Sequence, residues 1–265
     1  MVSQTTLRKI IHGVEVLYDS ELDIISNGEP SMIRAPFNRT QVKQEFDLCA
    51  EITTKCNLSC QNCFSESFHG KQGIYLDYRD VHTLLNFWHA ELIRFCVTGG
   101  EPLMHPEIES FLRLPKEFPD IGYVISTNGT LRPDLDVSLI SNSWLVAISL
   151  HGRKETHNSY SCFDSFCAVR KRIENLASRT RVHIYCVIHD ALTLEDVEWI
   201  YRFRNNSGAS FLRFIIPRAF GRYKSLSTMS MVDEIVARLD DHSGLKYEAS
   251  KTKFLETSGL IRKSF

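Results

Sequence analysis

From Glu45 onward the chain alternates short apolar runs with amphipathic segments, and this alternation limits the fold more than any other feature. The runs at 46–53, 93–98, 121–127, 144–150, 181–188 and 210–217 are rich in Val, Ile, Phe and Tyr, as strands are. Between them, 78–91, 106–117, 132–141, 163–177 and 193–205 carry helical periodicity. A repeated strand–helix unit calls for a parallel sheet whose helices cover its outer face. Six such units predict an α/β fold, a partial (β/α)6 barrel of parallel strands rather than a closed eight-unit one. In that architecture function gathers at the carboxyl ends of the strands.

The first run alternates with period two, placing Leu48, Ala50 and Ile52 on one face and Asp47, Cys49, Glu51 and Thr53 on the other. Buried parallel strands are usually apolar on both faces, so a polar inner face suggests a cavity lined for a ligand. A solvated edge strand is the alternative. Residues 1–45 read differently. Segments 10–18 and 22–25 look like two strands joined by a turn at Asp19-Ser20-Glu21, and Asn27-Gly28-Glu29-Pro30 is another turn. The expected division is a short N-terminal β-hairpin extension over 1–45, a barrel core over 46–222, and a C-terminal unit over 223–265. The last comprises an amphipathic helix near 227–240 and a polar tail.

Composition excludes several classes. A net charge of −1 without a long basic run argues against a nucleic-acid partner. No apolar stretch approaches the ~20 residues of a membrane span, and Met1 to Ile11 lacks a signal-peptide core. No membrane partner and a cytoplasmic location are therefore expected.

In that setting the eight cysteines need another explanation than disulfides. Cys56, Cys60 and Cys63 are crowded into one loop directly after the first run, at the functional end. Three thiolates so spaced converge on one centre, either an iron–sulfur cluster with one iron open or a zinc site borrowing a fourth ligand. Cys49, Cys96 and Cys186 fall in strands, where free cysteine behaves as a small hydrophobe, although Cys96 near the active end is also a candidate redox or radical relay. Cys162 and Cys167 belong to a helical segment. Val97-Thr98-Gly99-Gly100-Glu101-Pro102 closes the second run, Ser126-Thr127-Asn128-Gly129 the third, and Ser149-Leu150-His151-Gly152 the fourth. Each alone passes as a turn; their placement at successive strand ends facing the cysteine loop points to a shared ligand.

These motifs, in this order and spacing, resemble the radical S-adenosylmethionine (SAM) superfamily over roughly residues 45–220. They look most like its peptide-, cofactor- and natural-product-maturing group. The resemblance implies one [4Fe–4S] cluster on Cys56, Cys60 and Cys63, whose open iron chelates the amino and carboxylate groups of SAM. Gly99, Gly100, Glu101 and Pro102 would bind the methionine amino group, with Glu101 matching its charge. Ser126, Asn128 and Ser149 would contact the ribose or methionine end, and Asn62 and Phe64 the adenine. One electron into the cluster would cleave SAM to methionine and a 5′-deoxyadenosyl radical, which takes a hydrogen atom from substrate. A flavodoxin- or ferredoxin-type electron donor is implied.

Two positions depart from the family pattern. Asn62 stands where an aromatic residue commonly precedes the third cysteine, which shifts adenine stacking to Phe64 or backbone. Several relatives place an arginine where this chain reads Asn158-Ser159-Tyr160-Ser161-Cys162, leaving Arg153, Lys154 or Arg213 for the SAM carboxylate. No cysteine follows Cys186, so no C-terminal auxiliary-cluster (SPASM-type) domain is expected. Candidate catalytic residues are His151, Glu51 and Tyr185, with His189, Arg213 and Arg218 as further substrate contacts. His151, which follows Ser149, is the first choice as proton donor or substrate anchor, against the plainer role of a hydrogen-bonded structural histidine. The expected function is hydrogen abstraction from a small organic substrate in cofactor or natural-product biosynthesis. One alternative is a ribosomal-peptide maturase whose precursor peptide is held by a separate leader-binding partner. Another, of a different class, is a non-catalytic metal-stabilised binding module.

Overall fold

The computed structural model describes residues 6–11, 14–20, 24–26, 47–70, 72–130, 140 and 144–215. The turn expected at 27–30, the helix near 227–240, Arg218, residues 216–217 and all of the 132–141 helix except residue 140 lie outside them. Strands β1 (Thr6–Ile11), β2 (Val14–Asp19) and β3 (Ile24–Ser26) form an antiparallel meander in that order. Among its described residues the extension has three strands where two were expected. The run 10–18 is split because Ile11 pairs with Val14. The sequence holds a glycine, Gly13, just before the second strand, and glycine is a turn signal. The continuous apolar character of the run hides that signal.

The barrel units follow in chain order. They are β4 (Asp47–Thr53), α1 (Tyr78–Trp88), β5 (Arg94–Gly99), α2 (Ile108–Glu117), β6 (Gly122–Thr127), β7 (Trp144–Ser149), α3 (Lys154–Ser161), α4 (Phe166–Ala177), β8 (Arg181–Val187), α5 (Leu194–Ser207) and β9 (Phe211–Ile215). The six strands β4 to β9 pair in sequential order, all parallel, as expected for a partial barrel. The helix expected from 163 starts at Phe166. Cys162 ends α3 in the left-handed region (φ 53°), and Asn158 Oδ1 then accepts from the backbone N–H groups of Ser165 and Phe166. Among the described residues no helix is long and apolar enough to cross a membrane.

The central strands β6 and β7 bury both faces. Outward-facing Ile52, Phe95, Val97, Ile125, Val146, Ile148 and Ile184 pack against Leu85, Phe111, Val169, Ile173 and Ile200 of the helices. Inward-facing Val124, Leu145 and Ala147 pack instead against Ile11, Val16 and Tyr18 of the meander. The N-terminal extension therefore plugs the lower barrel. A side chain at Gly122 would place its Cβ 2.1 Å from the Tyr18 ring, so glycine makes room for the plug. Lys9 Nζ fastens the meander to the carbonyls of His89 (2.6 Å) and Leu92 (3.1 Å) and to Asp120 (2.6 Å). Beside Tyr18, Arg94 of β5 bridges to Asp47 of β4.

Candidate functional site

The end of β4 leaves regular pairing at a shift between Glu51 and Thr53, which turns the chain over β5. Thr53 O accepts from Gly100 N (2.7 Å) and Lys55 O from Glu101 N (2.8 Å). A Cβ on Gly99, whose φ is +141°, would lie 2.3 Å from Thr53 O. Only glycine permits this contact, so the glycine pair serves first to dock the cysteine loop on β5.

In that loop Cys56 is buried while Cys60 and Cys63 are half-buried. The Cys56 Sγ accepts from Leu58 N (3.4 Å) and Asn128 Nδ2 (3.9 Å). Burial, with Glu101 and Cys63 nearby, pushes the Cys56 thiol up to about 11 despite those two bonds. Two N–H donors aimed at a buried sulfur suit a thiolate ligand, and three thiols in one loop suit the [4Fe–4S] cluster implied by the resemblance. Loading such a cluster displaces the proton that burial retains. Among the described residues no three His, Cys, Asp or Glu side chains converge at metal-ligand distance.

The loop is held from its other side by α3, a contact that the sequence did not announce. Ser59 N donates to Ser161 O (3.3 Å), Gln61 N to Tyr160 O (2.9 Å) and Gln61 Nε2 to Ser159 O (3.0 Å). These are carbonyls of a helix C-terminus, and the loop's own donors bond to them. Asn57, also missed, accepts from Asn128 Nδ2 (2.9 Å) and donates to Thr130 Oγ1 (2.7 Å), linking the loop to the end of β6.

Glu101 is fully buried, and both its oxygens are engaged. Oε1 accepts from Leu103 N (3.0 Å) and Thr127 Oγ1 (2.7 Å), and Oε2 from Asn128 N (2.7 Å). Burial pushes its pKa up to about 7, against the opposing effect of those bonds. The carboxylate ties the end of β5 to the end of β6, and these three bonds occupy most of its acceptor sites. Pro102 is buried beside it, at the start of a 3-10 turn over Pro102–Met104.

Of the other candidates, Glu51 is exposed at the mouth and accepts from Ser65 Oγ (3.0 Å). Ser126 and Ser149 are half-buried on the inner face. Tyr185 lies level with Ser149 and Arg213 in the strand register. The Arg213 guanidinium lies 5.1 Å from the centre of the Tyr185 ring and donates to its hydroxyl (3.1 Å). Asn62 is half-buried and Phe64 exposed on the cysteine loop.

His151 stands apart from this group. It is 5% exposed, packed on Tyr160 at 4.3 Å and stacked on His157 at 5.8 Å. Val187 N donates to its Nδ1 (3.1 Å), which assigns the ring proton to Nε2. Burial, with His157 and His189 beside it, holds the ring far below the usual histidine range, so it stays neutral. His189 is likewise buried and contacts His151 O (3.4 Å). Arg153 is engaged by Asp196 (3.0 Å) and Glu195 (2.7 Å) of α5, a position that braces α3 rather than one poised over a SAM carboxylate.

Comparison with known proteins adds to this geometry. The family model described as Radical SAM superfamily matches residues 50–204. The cysteine-type anaerobic sulfatase-maturating enzyme of Clostridium perfringens (strain 13 / Type A) is 30% identical over 189 residues, covering 63% of this chain and 50% of that protein. The GTP 3′,8-cyclase of Chlorobaculum tepidum is 34% identical over 130 residues, covering 47% of this chain and 39% of its own. The solved structure of Streptococcus suis SuiB bound to S-adenosylmethionine has a TM-score of 0.70 at 12% identity, covering 91% of this chain and 70% of that one. At that identity the likeness is one of fold. The chain spans half or less of the length of these two curated relatives.

Proposed function

The chain belongs to the radical SAM superfamily, and from that premise we propose that it is an enzyme abstracting a hydrogen atom from a small organic substrate in cofactor or natural-product biosynthesis. A [4Fe–4S] cluster with bound SAM would supply the one-electron radical chemistry. The chain's residues supply position. Cys56, Cys60 and Cys63 would hold the cluster, with Leu58 N and Asn128 Nδ2 steadying the first sulfur. Gly99, Gly100, Ser126, Asn128 and Ser149 form the adjoining SAM surface, and Asn62 and Phe64 flank the adenine. Glu51, Tyr185 and Arg213 line the inner face on which substrate rests, and exclusion of water there protects the radical.

The observation that carries this reading is the joining of three strand-end motifs at one place. Thr53 and Lys55 carbonyls bind Gly100 and Glu101, Glu101 binds Thr127 and Asn128, and Asn128 returns to Cys56. Among the described residues, Ile11, Val16 and Tyr18 fill the lower inner face, which favours a small substrate at the upper one. Residues 46–222 are the catalytic unit in this reading, strands β1 and β2 of the extension over 1–45 its floor, and a flavodoxin- or ferredoxin-type protein its electron donor. Anaerobically reconstituted, reduced protein should release 5′-deoxyadenosine from SAM, and Cys60→Ala should not. Absence of release from the wild-type, iron-loaded protein would sink the proposal.

A second reading is maturation of a peptide or protein. It is favoured by the Clostridium perfringens relative, which is named for maturating a sulfatase. Release of 5′-deoxyadenosine that rises only with a peptide substrate would select it.

A further inference from the structure

We propose that Cys49 and Cys96 form a redox-active dithiol inside the barrel, which closes to a disulfide by exchange with small-molecule disulfides. The two residues are register partners on β4 and β5. Their flanking residues Phe95 and Val97, with Leu48 and Ala50, belong to the outer core, so alternation turns both cysteines inward. Both are half-buried free thiols, and the Cys96 thiol is hydrogen-bonded to that of Cys49.

Neighbouring strands run about 4.8 Å apart. Register partners therefore place their Cα atoms within the window of roughly 4.4–6.8 Å that disulfides span. Their Cβ directions run side by side, so the bridge is not fully relaxed and thiols reopen it. One level below, Arg94 Nε donates to Asp47 Oδ1 (2.9 Å); one level above stand Glu51 and Thr98. Cys96 also packs against the cluster of Ile11, Val16 and Tyr18.

The exchange balances without another reactant. Cys49, on edge strand β4, is the attacking sulfur. Its thiolate displaces one thiolate from the small disulfide, forming a mixed disulfide. Cys96 sulfur then attacks Cys49 sulfur and expels the second. The two cysteine protons go to the two departing thiolates, and two electrons pass from the protein to the small disulfide. The product ties the strand leading into Cys56 to the strand leading into Gly99.

Tryptic peptides separate the relevant thiols, because 44–55 contains only Cys49, 95–113 only Cys96, and the cluster cysteines begin a third peptide at Cys56. Full-length, iron-loaded protein is treated anaerobically with oxidised glutathione, alkylated in the native state and mapped by mass spectrometry. The expected product is peptide 44–55 linked to 95–113, lighter by two hydrogens than the free pair and released by dithiothreitol. In Cys96→Ser, Cys49 should instead retain one glutathione. Exposed Cys162 and Cys167 report that the reagent acted. The proposal is overturned if they react while Cys49 and Cys96 are recovered alkylated or each carries its own glutathione. A link that forms only after unfolding also overturns it.

Discussion

Replacing Glu101 by Gln separates two effects that the site combines. In the folded chain the carboxyl has a pKa of about 7, raised from 4.5 by complete burial against the bonds from Asn128, Thr127 and Leu103. Because the folded value is the higher one, its stabilising contribution is complete below pH 4.5. It is lost as the pH rises through 7, since the unfolded chain ionises first. At 1.36 kcal/mol per pH unit, the loss between pH 4.5 and 8 is about 3 kcal/mol. The Gln variant has no such dependence, but its NH2 group must face a backbone donor, either Asn128 N or Leu103 N. One unmet buried donor costs about 1–3 kcal/mol at every pH. Wild type is therefore expected to be the more stable below about pH 5, with the advantage shrinking by about 3 kcal/mol and vanishing between about pH 5 and 7. Urea unfolding of both cluster-free proteins at pH 4.5, 5.5, 6.5 and 8 measures this difference, and other titrating groups cancel between them. A difference constant to within about 0.5 kcal/mol across that range would refute a buried, proton-bearing Glu101.

Tyr18→Ala should lower stability by about 3 kcal/mol or more, by emptying the space the ring occupies against Gly122. A drop in the urea midpoint at unchanged slope measures it, and less than about 1 kcal/mol would mean that the plug is not packed. Burial opposes ionisation of Asp196, yet bonds from Thr193 and Arg153 hold its carboxyl down to about 2. Asp196→Asn should therefore cost about 2–4 kcal/mol at pH 6. Because the folded value is depressed, that cost should shrink as the pH falls from 3.8 through 2, and comparing unfolding at the two extremes tests the sign. Cys60→Ala should take up only background iron after anaerobic reconstitution while its far-ultraviolet circular dichroism is unchanged. Iron content equal to wild type would remove Cys60 from the ligand set.

Six apolar runs with amphipathic segments between them sufficed to derive a parallel barrel, because the periods of strands and helices are written locally in the sequence. The cysteine loop and the glycine-rich strand ends were legible for the same reason: each is a short contiguous motif placed by one strand. The tertiary structure alone decided what reached that site from a distance. The carbonyls of Ser159, Tyr160 and Ser161 hold the loop across nearly a hundred residues, and backbone groups carry no side-chain signature. His151 follows Ser149 in sequence, yet its ring turns to Val187 and Tyr160, since direction after a strand end depends on packing rather than on alternation. Glu101 was legible as a charge, but its burial under Leu103, Thr127 and Asn128 was not. The filling of the lower barrel by Tyr18 was equally hidden, because it joins Gly122 to a residue more than a hundred positions earlier. Local periodicity determined which elements form and where the chemistry-bearing motifs stand; desolvation and long-range hydrogen bonding decided which of those side chains remain open to a ligand.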